Sequence, residues 1–135
     1  MDAPTRIFVQ QRSGNRCEYC GMPQDATPFI PFHVEHIIAR QHVEADSNDP
    51  SRLAFSCDRC NAYKGPNISS VDPATGEVVQ LFNPRTDVWS DHFVASKGFV
   101  IGLSSVGRAT SRLLNMNHSR RVELRLQWLE EGSES

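Results

Sequence analysis

Two pairs of cysteines with identical spacing stand out as residues able to do chemistry. Cys17 and Cys20 form one C-x-x-C pair, and Cys57 and Cys60 form the other, with 36 residues between the pairs. This spacing is typical of a tetrahedral zinc site in which each pair presents two thiolates to one ion. Disulfides or unrelated core cysteines are the alternatives. We predict a structural Zn²⁺, which has four protein ligands and no open position for a reaction.

A glutamate and two histidines lie between the cysteine pairs, inside the apolar stretch FHVEHII. There His33, Glu35 and His36 stand among residues typical of a buried strand, where an unpaired polar group costs free energy on the order of kilocalories per mole. A neutral imidazole can accept a proton from water, and carboxylate oxygens suit a hard divalent cation. A satisfied polar pair in a small core is the alternative for Glu35 and His36. Since neighbours on a regular strand point to opposite faces, they can share a site only where the strand ends or bends.

The elements that must position these residues are a strand, a loop, a second strand and a short helix. The stretch ATPFIPFHVEHII predicts the first strand, residues 41–52 are polar and turn-rich, and LAF predicts the second strand. Ser56 is predicted to cap a helix that runs through Cys57 to Lys64 and ends at Gly65. A further short helix is expected over residues 3–13.

The second half predicts additional α and β structure. The stretch ISSVDPATGEVVQLF favours a hairpin around its DPATGE turn, and GFVIGL favours a strand. Apolar spacing indicates helices over 105–115 and 118–131, and the final GSES is expected to be disordered. Five arginines on these helices could face DNA, although a charged helix face is more often solvated: Arg108, Arg112, Arg120, Arg121 and Arg125.

Length and charge limit the interpretation further. The 135 residues carry a net charge of −2, so binding to nucleic acid would have to come from a local patch. The length predicts a single domain over 1–135, with a core at 15–66 and an extension at 67–131. We found no signal-like or membrane-spanning apolar run, so a cytoplasmic protein without a membrane partner is expected.

The segment from 15 to 66 resembles the HNH endonuclease family, specifically its zinc-stapled ββα-metal type. In order, it contains a C-x-x-C pair, HVEHI, a polar loop, LAFSC and CNAYKG. The resemblance implies an α+β fold with a ββα-metal core, to which the second half adds a C-terminal β-hairpin and helices. It also implies that Glu35 and Asn61 bind a catalytic Mg²⁺ or Mn²⁺ and that His36 is the general base. For Asn61, a capping or bridging role within the helix is the alternative.

Four further residues are candidates for contact with nucleic acid. His33 shares the strand face of Glu35, and Lys64 lies one turn beyond Asn61. Arg40 and Arg52 flank the loop, and Arg52 stands where the family has its middle asparagine. Arginine cannot accept a hydrogen bond, but it can donate one to a carbonyl or a phosphate. Surface roles are the alternatives for His33, Arg40 and Lys64, with Lys64 solvated near the helix C-terminus.

The sequence therefore predicts a metal-dependent HNH endonuclease that hydrolyses phosphodiester bonds. DNA is the expected substrate by resemblance, and RNA is not excluded. The alternative is a non-catalytic zinc module that binds nucleic acid or a protein partner. Arg52 and the lack of net positive charge favour that alternative.

Overall fold

The structure is a computed structural model that describes residues 2–43 and 48–132. Its helices and strands are, in order, α1 (Ala3–Arg12), β1 (His33–His36), β2 (Leu53–Ser56), α2 (Asp58–Lys64), β3 (Ser69–Val71), β4 (Val78–Gln80), α3 (Trp89–His92), β5 (Phe93–Ser96), β6 (Phe99–Gly102), α4 (Ser105–Leu113) and α5 (Ser119–Gly132). Residues 44–47 of the predicted loop and 133–135 of the predicted disordered end lie outside the described residues.

The predicted strand, strand and helix arrangement is confirmed. β1 pairs antiparallel with β2, which places Glu35 opposite Ala54 and His36 opposite Leu53. α2 follows β2 directly and ends at Gly65, whose φ of +48° suits glycine. The predicted cap at Ser56 is wrong, because Ser56 belongs to β2 and Cys57 caps the helix by accepting the Cys60 amide on its sulfur. The fold is therefore mixed α+β with a ββα core.

α1 and the apolar residues of β2 cover one side of this core. Val9 of α1 is fully buried, and the Phe32 and Phe55 rings lie 5.4 Å apart. The Arg12 guanidinium donates to the carbonyl oxygens of Pro50 and Leu53 at 2.9 and 2.8 Å. These contacts fix α1 against the start of β2.

Two hairpins and two helices form the extension, which is defined here as β3 to α5. The predicted hairpin is confirmed as β3–β4, whereas GFVIGL has a partner that the sequence did not indicate, β5. Lys97 and Gly98, with φ of +51° and +84°, make the two-residue β5–β6 turn. A Cβ at Gly98 would lie 2.8 Å from the Val122 carbonyl oxygen, so α5 packs directly on this turn.

The extension shares one hydrophobic cluster with the core. Phe82 packs edge-on against Tyr19 at 6.4 Å, and the Trp89 indole donates to the Tyr19 carbonyl oxygen at 2.8 Å. Buried residues of the extension complete the cluster: Phe82, Phe93, Val100, Leu114 and Met116. No helix in the described part of the chain has the length and apolar character needed to cross a membrane.

The expectation of a solvated arginine face is wrong for three of the five arginines. Arg121 and Arg125 are buried, and Arg108 forms a two-pronged ion pair with buried Asp72 at 2.9 and 2.8 Å. Hydrogen bonds from Arg108 lower the pKa of Asp72 to about 2. Each of these three arginines therefore connects its helix to another part of the chain.

Candidate metal centre and active site

The four cysteine sulfurs converge in the core. The Sγ atoms of Cys17, Cys20, Cys57 and Cys60 all lie within 4.8 Å of one another, and each residue is buried. Cys20 Sγ and Cys57 Sγ are 3.7 Å apart. Zn–S bonds of about 2.3 Å give a tetrahedron with edges of about 3.8 Å, so this spacing suits zinc.

The protonation of these sulfurs also points to a cation. Burial raises the pKa of Cys17 and Cys60 well above the ordinary thiol value, whereas hydrogen bonding to Cys17 lowers the pKa of Cys20 and Cys57. Without a cation, four adjacent buried sulfurs cannot all ionise, because each thiolate repels the next. A bound metal removes this conflict, since coordination deprotonates thiols outright. The donor set therefore fits a structural zinc ion.

Arg121 of α5 completes the surroundings of the cysteines, and the sequence analysis did not assign it there. Its guanidinium donates to Cys60 Sγ at 2.9 Å and to Cys57 Sγ at 3.5 Å. It also donates to the carbonyl oxygens of Leu114 and Asn115. Burial lowers the pKa of Arg121, but the neighbouring thiolates outweigh it and raise the pKa. A zinc ion with four thiolates carries a formal charge of −2, part of which this arginine offsets.

Glu35 points from β1 toward α2 and is buried there. Its Oε2 lies 3.6 Å from the Lys64 ammonium, which donates to the Ile37 carbonyl oxygen at 2.8 Å. Burial raises the pKa of Glu35 above its ordinary value, and Lys64 only partly offsets this. Glu35 Oε1 and the Tyr19 hydroxyl are closed to solvent and have no well-aligned hydrogen bond among the described residues, although the Tyr19 hydroxyl is close enough to lower the pKa of Glu35. A ligand to this carboxylate oxygen would therefore compete with Tyr19.

Asn61 lies on the same side of α2 as Lys64. Asp58, Asn61 and Lys64 follow one another at three-residue steps, which keeps them on one face of the helix. At one end of this face Asp58 contacts His33 at 3.3 Å, and at the other Lys64 contacts Glu35. Asn61 stands between these contacts, and its side-chain amide makes no hydrogen bond within residues 2–43 and 48–132. Asn61 therefore lies on the face of α2 that contacts β1, where Glu35 is buried.

Lys64 is only 2% exposed, so the alternative of a solvated lysine is wrong. Its buried ammonium already contacts Glu35 and the Ile37 carbonyl oxygen, so it does not lie at the surface where a nucleic acid was predicted to contact it. In this structure Lys64 is the charge partner of Glu35.

His36 lies on the opposite face of β1, as regular strand alternation requires. Its Nε2 lies 3.0 Å from Asn48 Oδ1, and Arg40 reaches the same oxygen at 3.4 Å. His36, Arg40, Arg52 and Asn83 line one cavity of about 170 Å³. The structure thus brings together three of the predicted site residues and separates them from Glu35 and Asn61 by the thickness of the strand.

Asn48 and Asn83 are functional candidates that the sequence analysis missed. Asn48 falls in the polar loop, where one more asparagine carries no distinctive signal. Asn83 comes from the extension, 47 positions after His36, and only folding brings it to the cavity. Arg121 had a weak signal, because Arg121, Arg125 and Trp128 recur at helical spacing beside the apolar stripe of α5.

Two comparisons with known proteins found a match to this chain. Residues 17–67 match the model of the HNH endonuclease family. The Septu protein PtuB of Bacillus thuringiensis is 26% identical over 117 residues, which cover 87% of this chain and 42% of that protein. The chain thus spans about two fifths of the length of this curated relative. No solved structure matches the chain described here. The matched stretch begins at Cys17 and includes all four cysteines, Glu35, His36 and Asn61, so residues 17–67 are similar to an HNH endonuclease domain.

Proposed function

We propose that this protein is a metal-dependent nuclease that hydrolyses phosphodiester bonds, with DNA as its first expected substrate. The observation that carries the proposal is the cavity at the end of β1, where His36 meets Arg40 and Arg52. Next to it in the sequence, Glu35 has a buried carboxylate oxygen without a well-aligned hydrogen bond. A base, two cations and an oxygen ligand are the groups that phosphodiester hydrolysis needs.

His36 would act as the general base. Asn48 Oδ1 can only accept a hydrogen bond, so its contact with Nε2 favours the tautomer with a proton on that nitrogen. Nδ1 is then unprotonated and able to take a proton from the attacking water. Asn48 would fix the ring orientation and the tautomer.

Arg40 and Arg52 would bind the phosphate that is attacked. A guanidinium presents several N–H donors in a planar fork that matches phosphate oxygens. Both arginines are exposed and line the His36 cavity. A phosphate held there would place its phosphorus next to a water deprotonated by His36.

Glu35 and Asn61 would hold the catalytic divalent cation, with Mg²⁺ preferred and Mn²⁺ second. The buried carboxylate of Glu35, whose Oε1 has no well-aligned hydrogen bond, supports this assignment, as does the position of Asn61 between the His33 and Lys64 contacts. Two protein oxygens suit a hydrated hard ion. Because Glu35 and His36 lie on opposite faces of β1, this cation would reach a phosphate in the His36 cavity only if β1 bends at its end when the substrate binds. It would then offset the negative charge that develops on the phosphate and the leaving oxygen.

The test is cleavage of supercoiled plasmid by zinc-loaded protein with Mg²⁺, with Mn²⁺ and with neither. The variant is His36→Ala, and the matched control is His118→Ala, which removes an exposed histidine at the start of α5. We expect metal-dependent nicking or linearisation that His36→Ala lowers at least about 100-fold and His118→Ala leaves unchanged. Parallel digestion of an RNA strand decides between the two nucleic acids.

Two results would contradict the proposal. Cleavage that persists in His36→Ala would remove this residue from the mechanism. If folded, zinc-loaded protein cleaved nothing with either metal, the nuclease hypothesis would be wrong and the non-catalytic zinc module would replace it.

A further inference from the structure

A second, larger cavity lies between the zinc loop, the β5–β6 turn and α5. Its volume is about 570 Å³, which falls in the range of about 300–1,000 Å³ that small-molecule sites occupy. Three partly exposed aromatic side chains line it, namely Trp89, Phe99 and Trp128, and Phe82 also borders it but is only 2% exposed. Planar walls of this kind stack well against planar ligands.

The charges around this cavity are mainly positive. Four cations line it, namely Arg12, Arg16, Lys97 and Arg125, against the two carboxylates of Glu18 and Asp87. Both carboxylates are already engaged: Glu18 pairs with Arg85, and Asp87 accepts a hydrogen bond from the Asn83 backbone N–H at 2.9 Å. Across residues 2–43 and 48–132 none of the four cations forms an ion pair. The cavity thus favours an anion.

One of the four cations, Arg125, is buried. It is only 7% exposed and donates to the carbonyl oxygens of Gly98 and Met116 at 2.7 and 2.6 Å. Its Nε–H has no partner among the described residues. A buried guanidinium with an unused donor is costly unless an acceptor reaches it. A ligand oxygen would satisfy that donor only after a shift of the Arg125 side chain, because the nitrogen is closed to solvent.

The larger cavity and the cavity that contains His36 are bordered by neighbouring residues of the chain. Asn83 lines the His36 cavity, whereas its neighbours Phe82 and Pro84 line the larger one. Arg12 lines the larger cavity and donates to the Pro50 carbonyl oxygen, two residues before Arg52. Both cavities therefore border the same short segments of chain.

We propose that the larger cavity binds one nucleotide, with its base against the aromatic side chains and its phosphate on the cations. The nucleotide is either free or unstacked from the strand that would be cut at His36. The idea that the nucleotide belongs to a strand being cut rests on the proposed nuclease function. The idea that the cavity binds a nucleotide does not. Base stacking on aromatic side chains combined with a cationic groove is a recurrent way to hold single strands.

The test uses tryptophan fluorescence of the full, zinc-loaded His36→Ala protein without added magnesium, so that no strand is cut. The chain has two tryptophans, and both line this cavity, so quenching reports directly on it. The probes are AMP, a short single-stranded DNA, the same sequence as a blunt duplex, and inorganic phosphate. We expect saturable quenching by AMP or the single strand, and weaker quenching by the duplex and by phosphate.

Three further variants locate the binding. Trp128→Leu should weaken the single-strand or AMP affinity about 5-fold to 150-fold, which corresponds to the stacking of one base. Lys97→Ala, on an exposed turn, should weaken it severalfold without unfolding the protein. Arg112→Ala, which removes an exposed cation outside the cavity, should leave it unchanged.

The probes distinguish the two sources of the nucleotide. Stronger binding of AMP than of the strand would identify a site for a free nucleotide, and the reverse would identify a site for a substrate nucleotide. Failure of both to quench, or quenching unaffected by Trp128→Leu and Lys97→Ala, would overturn the proposal. Because the measurement needs no cleavage, nucleotide binding by a protein that cuts nothing would refute only the nuclease function.

Discussion

The β1–β2–α2 core and the β3–α5 extension are stabilised by different interactions. In the core, four buried cysteines converge on one point, and the Glu35–Lys64 pair lies beside them. The extension contributes aromatic and aliphatic packing around Phe82, Phe93 and Val100. The two regions meet where Arg121 donates to Cys57 and Cys60. A motif thus marks the ligands of the metal, but the residues that surround them come from a distant part of the chain.

The largest expected effect comes from breaking the metal centre. Cys57→Ser should release zinc and unfold the core, since structural zinc contributes on the order of 10 kcal/mol to folding. Zinc content measured together with a circular dichroism melt checks this. A zinc-free variant that melts like wild type would show that packing of the extension alone supports the core.

Next in size is the loss of the Lys64 charge. Lys64→Met leaves the buried Glu35 carboxylate without its cation, which should lower the free energy of unfolding by about 3–5 kcal/mol. If Glu35 binds a divalent cation, Mg²⁺ should raise the Tm of this variant more than that of wild type. The double variant Glu35→Gln/Lys64→Met is the control, because it has no charge to compensate and should not respond to Mg²⁺.

The contact between the two regions is tested at Arg121. Arg121→Met should lower the free energy of unfolding by about 2–3 kcal/mol, because charged hydrogen bonds to two sulfurs and two carbonyl oxygens are lost. Release of zinc to a coloured chelator should become faster as well. Arg120→Met, which changes the exposed neighbour, is the matched control. Equal zinc release from all three proteins would show that α5 does not influence the metal centre.

The smallest effect is expected within the extension, at the Asp72–Arg108 pair. Asp72→Asn should lower the Tm modestly, with zinc content unchanged. The pKa of Asp72 is lowered to about 2, so its stabilisation is complete above the ordinary value of about 4 and disappears as the pH falls toward 2. The Tm difference from wild type should therefore stay constant between about pH 5 and pH 8. A Tm difference that grows or vanishes between pH 5 and pH 8 would contradict the lowered pKa of Asp72.

Much of the fold follows from local patterns in the sequence. Short-range patterns predicted β1, β2, the β3–β4 hairpin and the two last helices, because apolar spacing and turn residues act over a few positions. The pattern did not predict β5, since Phe93–Ser96 is only four residues long and follows α3 directly, without a turn signal at its start. Nor did it separate the buried Arg121 and Arg125 from exposed arginines, because burial depends on what packs against a helix.

In the candidate site, too, some features follow from local sequence patterns and others depend on the tertiary fold. Strand alternation already placed Glu35 and His36 on opposite faces, and the structure keeps them there. The positions of Asn48 and Asn83 beside the His36 cavity depend on a loop and on the extension. Neither asparagine has a local signal in the sequence.

By itself, the sequence determined the four-cysteine metal site, through the spacing of two C-x-x-C pairs, and it contains glutamate, histidine and asparagine in the order of an HNH endonuclease pattern. Only the tertiary structure decided which charged side chains lie near these residues and near the larger cavity. It placed Lys64 on Glu35, Arg121 on the thiolates, and four cations around an aromatic cavity. The physical reason is range, because ligand spacing is fixed by neighbouring residues, whereas the burial and pairing of a charge depend on residues far away in the chain.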